Sequence, residues 1–210
     1  MRAAGGMRLA TSLVLLCLVA PAARAAPEGD RAPWELGASL SWYFVHDDTN
    51  FGVVTATASH APLHLEVRYN YEALHTGSAF IGWSFEVGDT VTLGLTPMVG
   101  CMFGDAGGPV VGLSVALGWG PLSYSTQAEW AHDLLGTGGF LYAWSELDVR
   151  PWNWVRAGVV VQRTRVFHTA REVILGPLLG FTVWKLDVTA YWFQPGGIDQ
   201  ALVVSAAVSF

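Results

Sequence analysis

Charged side chains are scarce in this 210-residue chain, at 13%, yet they recur at every second position. The stretch LHLEVRYNYE, residues 63–72, sets His64, Glu66, Arg68, Asn70 and Glu72 on one face and Leu63, Leu65, Val67, Tyr69 and Tyr71 on the other. The same spacing puts Glu146, Asp148 and Arg150 in one row and Lys185 with Asp187 in another, while Glu86, Gln127, Glu129 and Arg156 fall on the matching faces of their own segments. Rows of carboxylates and guanidiniums can pair with one another, exchange protons or steer ions. Period-two alternation makes each row one face of a β-strand. In a soluble sandwich the charged face would meet water; in a membrane barrel it would line the interior and the apolar face would meet lipid.

Other chemistries are poorly supported. Ser123 and Ser125 share an inward face, but no His falls beside them by parity, as serine catalysis would require. Asp47-Asp48 and His132-Asp133 sit on connections, where Asp ordinarily makes turns. His46, His60, His64, His75, His132 and His168 are spread over different segments without metal-ligand spacing, so the sequence implies no metal and no cofactor.

The elements that must position these rows follow from composition. Hydrophobic residues make up 52% of the chain, with ten tryptophans and 24 glycines. The charged share is well below the roughly 25% of soluble domains. Beyond the N-terminal segment no stretch reaches the roughly 18 uninterrupted apolar residues of a membrane helix. Apolar composition without apolar runs points to strands that cross a membrane, because alternation halves the local hydropathy.

Twelve alternating segments can be placed, at 34–46, 50–60, 62–72, 78–88, 90–103, 108–119, 121–133, 139–150, 153–167, 171–184, 185–194 and 198–210. The connections alternate in length: HDDTN, YEALHTGS, FGDAGGP, DLLGTGG, FHTARE and QPGGID are long, whereas SHAP, GD, WGP, RPWN and the Trp184-Lys185 junction are short. Membrane barrels sort their connections this way, with long loops outside, short turns in the periplasm and an even strand count.

The predicted fold is therefore a closed antiparallel transmembrane β-barrel of 12 strands, with 10 as the alternative. Pro97 and Pro177 fall inside segments, where each forfeits a ladder hydrogen bond and marks a bulge or a misplaced boundary. Segment 139–150 is ambiguous, because Phe140, Tyr142 and Trp144 compete with Leu147 and Val149 for the lipid face. Aromatics gather at both strand ends: Trp34, Trp119, Trp152, Trp154 and Trp184 at the short turns, and Trp42, Phe44, Tyr69, Tyr71, Phe103, Trp130, Phe140, Phe167 and Trp192 at the long loops. Two such rings read as girdles at the membrane interfaces.

The last segment carries a resemblance. Leu202, Val204, Ala206 and Val208 alternate up to a terminal Phe210, which resembles the C-terminal signature of Gram-negative outer-membrane β-barrel proteins. The resemblance implies that Phe210 is an assembly signal read by the β-barrel assembly machinery. At the other end, Arg2 and Arg8 precede the apolar run 13–20 and Ala23-Arg24-Ala25, the layout of a cleaved signal peptide over residues 1–25. Residues 26–33 then form a short periplasmic segment and 34–210 the barrel. Cleavage after Ala25 leaves 8 basic against 17 acidic residues, which excludes a nucleic-acid footprint.

Parity assigns an interior. His64, Glu66, Arg68, Asn70, Glu86, Gln127, Glu129, Glu146, Asp148, Arg150, Arg156, Lys185 and Asp187 face inward, and so do the small residues Thr92, Gly94, Thr96, Gly100, Gly112, Ser114, Ala116 and Gly118 on one bare wall. Twelve strands about 4.8 Å apart and tilted about 40° enclose a backbone radius of roughly 12 Å, which long side chains nearly fill. Two functions stay open: a narrow porin-like channel for small polar solutes, with an off-centre passage along the bare wall, and a closed, salt-bridged structural or adhesion barrel. A surface lipid- or peptide-modifying enzyme is the third. Arg163 and Arg165 continue the lipid-facing row of segment 153–167 near its outer end, where guanidiniums suit lipopolysaccharide phosphates. The barrel is expected to be a monomer in outer-membrane lipid.

Overall fold

The structure, a computed structural model, describes residues 33–45, 49–136, 138–166, 172–197 and 200–210, with only the backbone of Arg165, Val166 and Glu172. Residues 1–25, expected to be a signal peptide, and residues 26–32 lie outside the described residues. So do His46, Asp47, Asp48, Phe167 and His168.

Every described element is a strand. They run β1 (Glu35–Val45), β2 (Phe51–His60), β3 (Leu63–Tyr69), β4 (Thr76–Trp83), β5 (Phe85–Val87), β6 (Val91–Gly104), β7 (Gly108–Trp119), β8 (Leu122–Asp133), β9 (Gly138–Trp152), β10 (Val155–Val166), β11 (Glu172–Val183), β12 (Leu186–Phe193) and β13 (Ala201–Ser209). β4 and β5 both pair with β6, from Thr76↔Gly104 to Gly82↔Met98 and then from Phe85↔Leu95 to Val87↔Leu93, so they are two pieces of one stave. Each stave pairs antiparallel with its sequence neighbours, and β1 pairs with β13 from Gly37↔Ser209 to Val45↔Ala201. The result is a closed barrel of twelve staves, which removes the ten-strand alternative. Closure leaves no unpaired edge, as a lipid environment requires.

Both awkward prolines sit where a ladder is interrupted. Pro97 lies on β6 opposite the break between β4 and β5, and still pairs with Leu113 on its other side. On β11, the pairing with β12 ends at Leu178↔Tyr191, one residue before Pro177. Each proline's missing N–H thus falls at a gap in a ladder rather than within it.

The faces are inverted relative to a soluble sandwich. On β3, Glu66 and Arg68 are 8% and 4% exposed, while Val67 and Tyr69 between and beside them are 54% and 47% exposed. β9 resolves the same way: Leu147 and Val149 are exposed, and Glu146 and Asp148 are buried. Phe140 and Trp144 share the inner parity and pack into the two interior apolar clusters. Phe140 is therefore no girdle residue, and neither is Tyr71, which lies against the Arg68 guanidinium inside the barrel. Trp42, Phe44, Tyr69, Phe103, Trp130 and Trp192 do stand outward near the longer connections, with Trp34, Trp119, Trp152, Trp154 and Trp184 at the other end.

Connections at that second end are two or three residues long, and those at the first are three to seven. The chain ends at the short-turn end. Phe210 N–H donates to Leu36 O at 2.8 Å and Leu36 N–H to Phe210 O at 3.2 Å, so the terminal residue completes the closing ladder. Lys185 Nζ lies 5.1 Å from the Phe210 ring centroid and 5.7 Å from that of Trp184. Deleting Phe210 removes both closing hydrogen bonds and one ring of this girdle. We expect less folded barrel in the outer-membrane fraction, read as loss of the heat-modifiable band; unchanged accumulation would contradict a closing role.

Candidate functional site in the barrel interior

The interior is built around two arginines, each reaching partners beyond its own strand. Arg68 on β3 is the first. Its Nε donates to Glu66 Oε1 at 2.7 Å, and its Nη1 to Glu72 Oε1 at 3.2 Å and to Glu129 Oε1. Its guanidinium lies 4.3 Å from the centroid of Tyr71 and 4.4 Å from that of Phe80, a cation–π stack on both sides. His64 bridges Glu66 and Ser59, and Ser78 Oγ donates to Glu72. Glu129 belongs to β8, four staves round from β3, so the Arg68–Glu129 pair is a chord across the barrel.

Arg156 on β10 is the second. Nη1 donates to Glu146 Oε2 at 2.7 Å; Nη2 donates to Thr189 Oγ1 at 2.8 Å and to Tyr191 OH at 3.2 Å. Glu146 Oε1 also accepts from Trp144 Nε1 and Tyr191 OH. Asp187 accepts from Thr182 and Thr189. This arginine crosses β11 at Gly180, where a Cβ would lie 2.8 Å from the Arg156 side chain. A side chain there would push the guanidinium off β12.

The bare wall has two fates. At Gly100 a Cβ would meet the Phe80 ring at 2.7 Å, and at Gly112 it would touch Met98 and Glu129, so these glycines make room for large neighbours rather than a passage. Phe80, Met98, Met102, Val110 and Ala131 form an apolar cluster there, with Phe140 against it. Val160, Leu178, Tyr191, Phe193 and Val203 form another on the opposite wall. Further toward the short turns the wall stays bare. Gly94, Ala116 and Gly118 border a cavity of about 370 Å³ that is also lined by Glu86, Thr92, Ser123, Asp148, Arg150 and Arg156. A second cavity, about 300 Å³, lies nearer mid-barrel among Ser39, Ser41, Thr55, Ser114, Gln127 and Ser205, flanked by Glu66, Glu146 and four aromatic side chains. Ser125 borders both.

Most residues picked out by parity therefore face the interior: His64, Glu66, Arg68, Glu86, Gln127, Glu129, Glu146, Asp148, Arg150, Arg156 and Asp187. Two behave differently. Asn70 lies just past β3 at φ 61°, and its amide holds the 70–75 connection by donating to Gly52 O and accepting from His75 N–H. Lys185 is in the short β11–β12 turn and stacks on Trp184 and Phe210 instead of lining the lumen. Its parity was sound only if the strand began one residue earlier. Glu66 and Glu86 line different cavities. Arg163 shares the outward parity of Val159 on β10, whereas the Arg165 side chain lies outside the described residues.

Parity puts Glu72 in the charged row with Arg68, although the inward set leaves it out; Tyr43, Tyr71, Phe80, Trp144 and Tyr191 are absent from that set as well. Continuing the Asp187 row by two steps reaches Thr189 and Tyr191, so that signal was present. Ser123 and Ser125 line the short-turn cavity, and none of the described residues lining it is a histidine. Among the described residues no three metal-ligating side chains gather.

No protein-family model matches the chain, and no characterised protein matches its sequence. Solved structures do resemble it. NanC porin overlays 83% of this chain and 98% of its own at a TM-score of 0.52 and 10% identity. Omp33 of Acinetobacter baumannii covers 84% and 98% at a TM-score of 0.47 and 10% identity. The fold is that of a Gram-negative outer-membrane β-barrel. Within that fold, the Arg68 cluster is the feature most exposed to a single change. Removing one member of a buried ion pair costs about 3–5 kcal/mol, because the partner charges are left uncompensated. R68M, stranding Glu66, Glu72 and Glu129, should lower barrel stability by about that amount in urea titration in micelles. K185Q, at the exposed turn, should leave it within about 0.5 kcal/mol. Equal effects would contradict the assignment of Arg68 as the interior tie.

Proposed function

We propose that this barrel is a narrow porin-like channel of the outer membrane, passing small polar solutes, with its longer connections at the cell surface. The observation that carries the reading is the pair of interior cavities that share Ser125 in their linings, inside a barrel whose girdles and apolar outer face suit a bilayer. The likeness to a porin supports it at the level of fold. The route narrows in the long-loop half, where the two apolar clusters and the Arg68 chord occupy the lumen. Conductance is therefore small. Interior carboxylates (Glu66, Glu72, Glu86, Glu129, Glu146, Asp148 and Asp187) outnumber Arg68, Arg150 and Arg156, which favours cations over anions between low-dielectric walls.

A closed, salt-bridged scaffold is the second reading, favoured by those same clusters and by the cross-lumen bond to Glu129. On either reading, Arg163, with its outward parity near the long-loop end of β10, would hold lipopolysaccharide phosphates, and Phe210 would present the assembly signal. Planar-bilayer recording of the purified, folded protein separates the two. We expect small steps with a cation-selective reversal potential under a salt gradient, and a weaker preference in E66Q, whose carboxylate borders the mid-barrel cavity. Folded protein that gives no steps would overturn the channel in favour of the scaffold.

A further inference from the structure

We propose that the short-turn cavity is a binding site for small zwitterions, solutes with an ammonium and a carboxylate on one short skeleton. The inference deepens the channel reading and rests on it for the solute's onward path; the binding itself requires only the open cavity.

Arg156 is already bonded to Glu146, Thr189 and Tyr191, but three other charges around this cavity are loosely matched. Glu86, on β5, makes no hydrogen bond or ion pair with any described residue. Across the floor of β6, β7 and β8 stand Arg150 at the end of β9 and Arg156 on β10. Arg150 is half exposed, and its nearest carboxylate is Asp148 at 3.8 Å, too far for a hydrogen bond. Asp148 is 4% exposed, yet its Oδ1 has no hydrogen-bond partner. Buried acceptors of that kind are rare and call for a donor. A free acid therefore faces a loosely held guanidinium, with a buried carboxylate oxygen still open.

Scale decides that these charges act together. A 370 Å³ space is about 9 Å across if spherical, comparable with the screening length of about 8 Å at physiological ionic strength. A simple amine entering it finds Glu86 and Asp148 but also two guanidiniums. A simple carboxylate meets the converse. A zwitterion answers both walls at once and adds no net charge, and Gly94, Ala116 and Gly118 leave it room.

The test is isothermal titration of the folded full-length barrel in micelles with 4-aminobutyrate, butyrate and butylamine. We expect 4-aminobutyrate to bind at least tenfold more tightly than either singly charged analogue, with the preference weakened by 0.5 M salt. E86Q and R150Q should each remove most of that preference. The swapped pair E86R/R150E should restore it, because the ligand can turn round. Heat-modifiable migration checks folding, and A116F, which fills the cavity without altering charge, should abolish binding if a charge variant does not fold. Butyrate or butylamine binding as tightly as the zwitterion would overturn the site, as would E86Q and R150Q behaving like the unaltered chain. Bilayer recording on the same preparation keeps the two readings apart: binding without conductance removes the channel and leaves the site, and conductance without binding removes the site alone.

Discussion

Everything in this structure depends on closing the hydrogen-bond ladder. In hydrocarbon an unpaired backbone N–H or C=O has no water to turn to, so a sheet can cross a membrane only as a ring. The β1–β13 pairing makes that ring, and the reciprocal bonds between Leu36 and Phe210 extend it to the last residue. Once the sheet is closed, period two leaves no freedom. One row of each stave faces lipid, and every charged side chain in the alternate row is carried into a tube of roughly 12 Å backbone radius.

That confinement explains the interior. A carboxylate taken out of water costs several kcal/mol unless it is paired, and the chain has few cations with which to pair. Two arginines therefore serve several partners each, reaching across the lumen or across a neighbouring stave as well as along one strand. Arg68 holds Glu66, Glu72 and Glu129 together between two aromatic rings, and Arg156 gathers Glu146, Thr189 and Tyr191. Glycine makes these crossings possible, at Gly180 beneath Arg156 and at Gly112 beside Glu129. The Arg68 network and the apolar clusters tie and fill the long-loop half, while the short-turn half keeps its open space beside Arg156. One set of contacts both stiffens the barrel and sets where it is narrow.

The staves were legible in the sequence because alternation and connection length are local signals. All twelve segments matched a stave within a few residues, and the face of 63–72 followed from the whole pattern rather than from that strand. Parity names a face, however, and not a partner. Nothing in residues 63–72 says that Arg68 will meet Glu129, because the meeting depends on barrel width and on which intervening side chains are small. The same limit explains the bare wall: Gly100 and Gly112 read as open space until Phe80 and Met98 are seen to occupy it. Trp144 and its neighbours were ambiguous for a different reason, since β9 carries apolar residues on both faces. Lys185 failed at a strand boundary, where one residue decides between lumen and turn.

The inverted faces are the central claim, and β7 tests them most directly because its inward residues are small enough to take a probe. Spin labels placed singly from 111 to 118 in bilayer-reconstituted protein would be read for collision with oxygen, which concentrates in lipid, and with a water-soluble nickel chelate. At Val111, Leu113 and Leu117 the labels should be oxygen-accessible and shielded from nickel; at Ser114, Ala116 and Gly118 oxygen access should fall, with nickel access rising toward Gly118. An opposite phase would contradict the account, and so would no two-residue period at all.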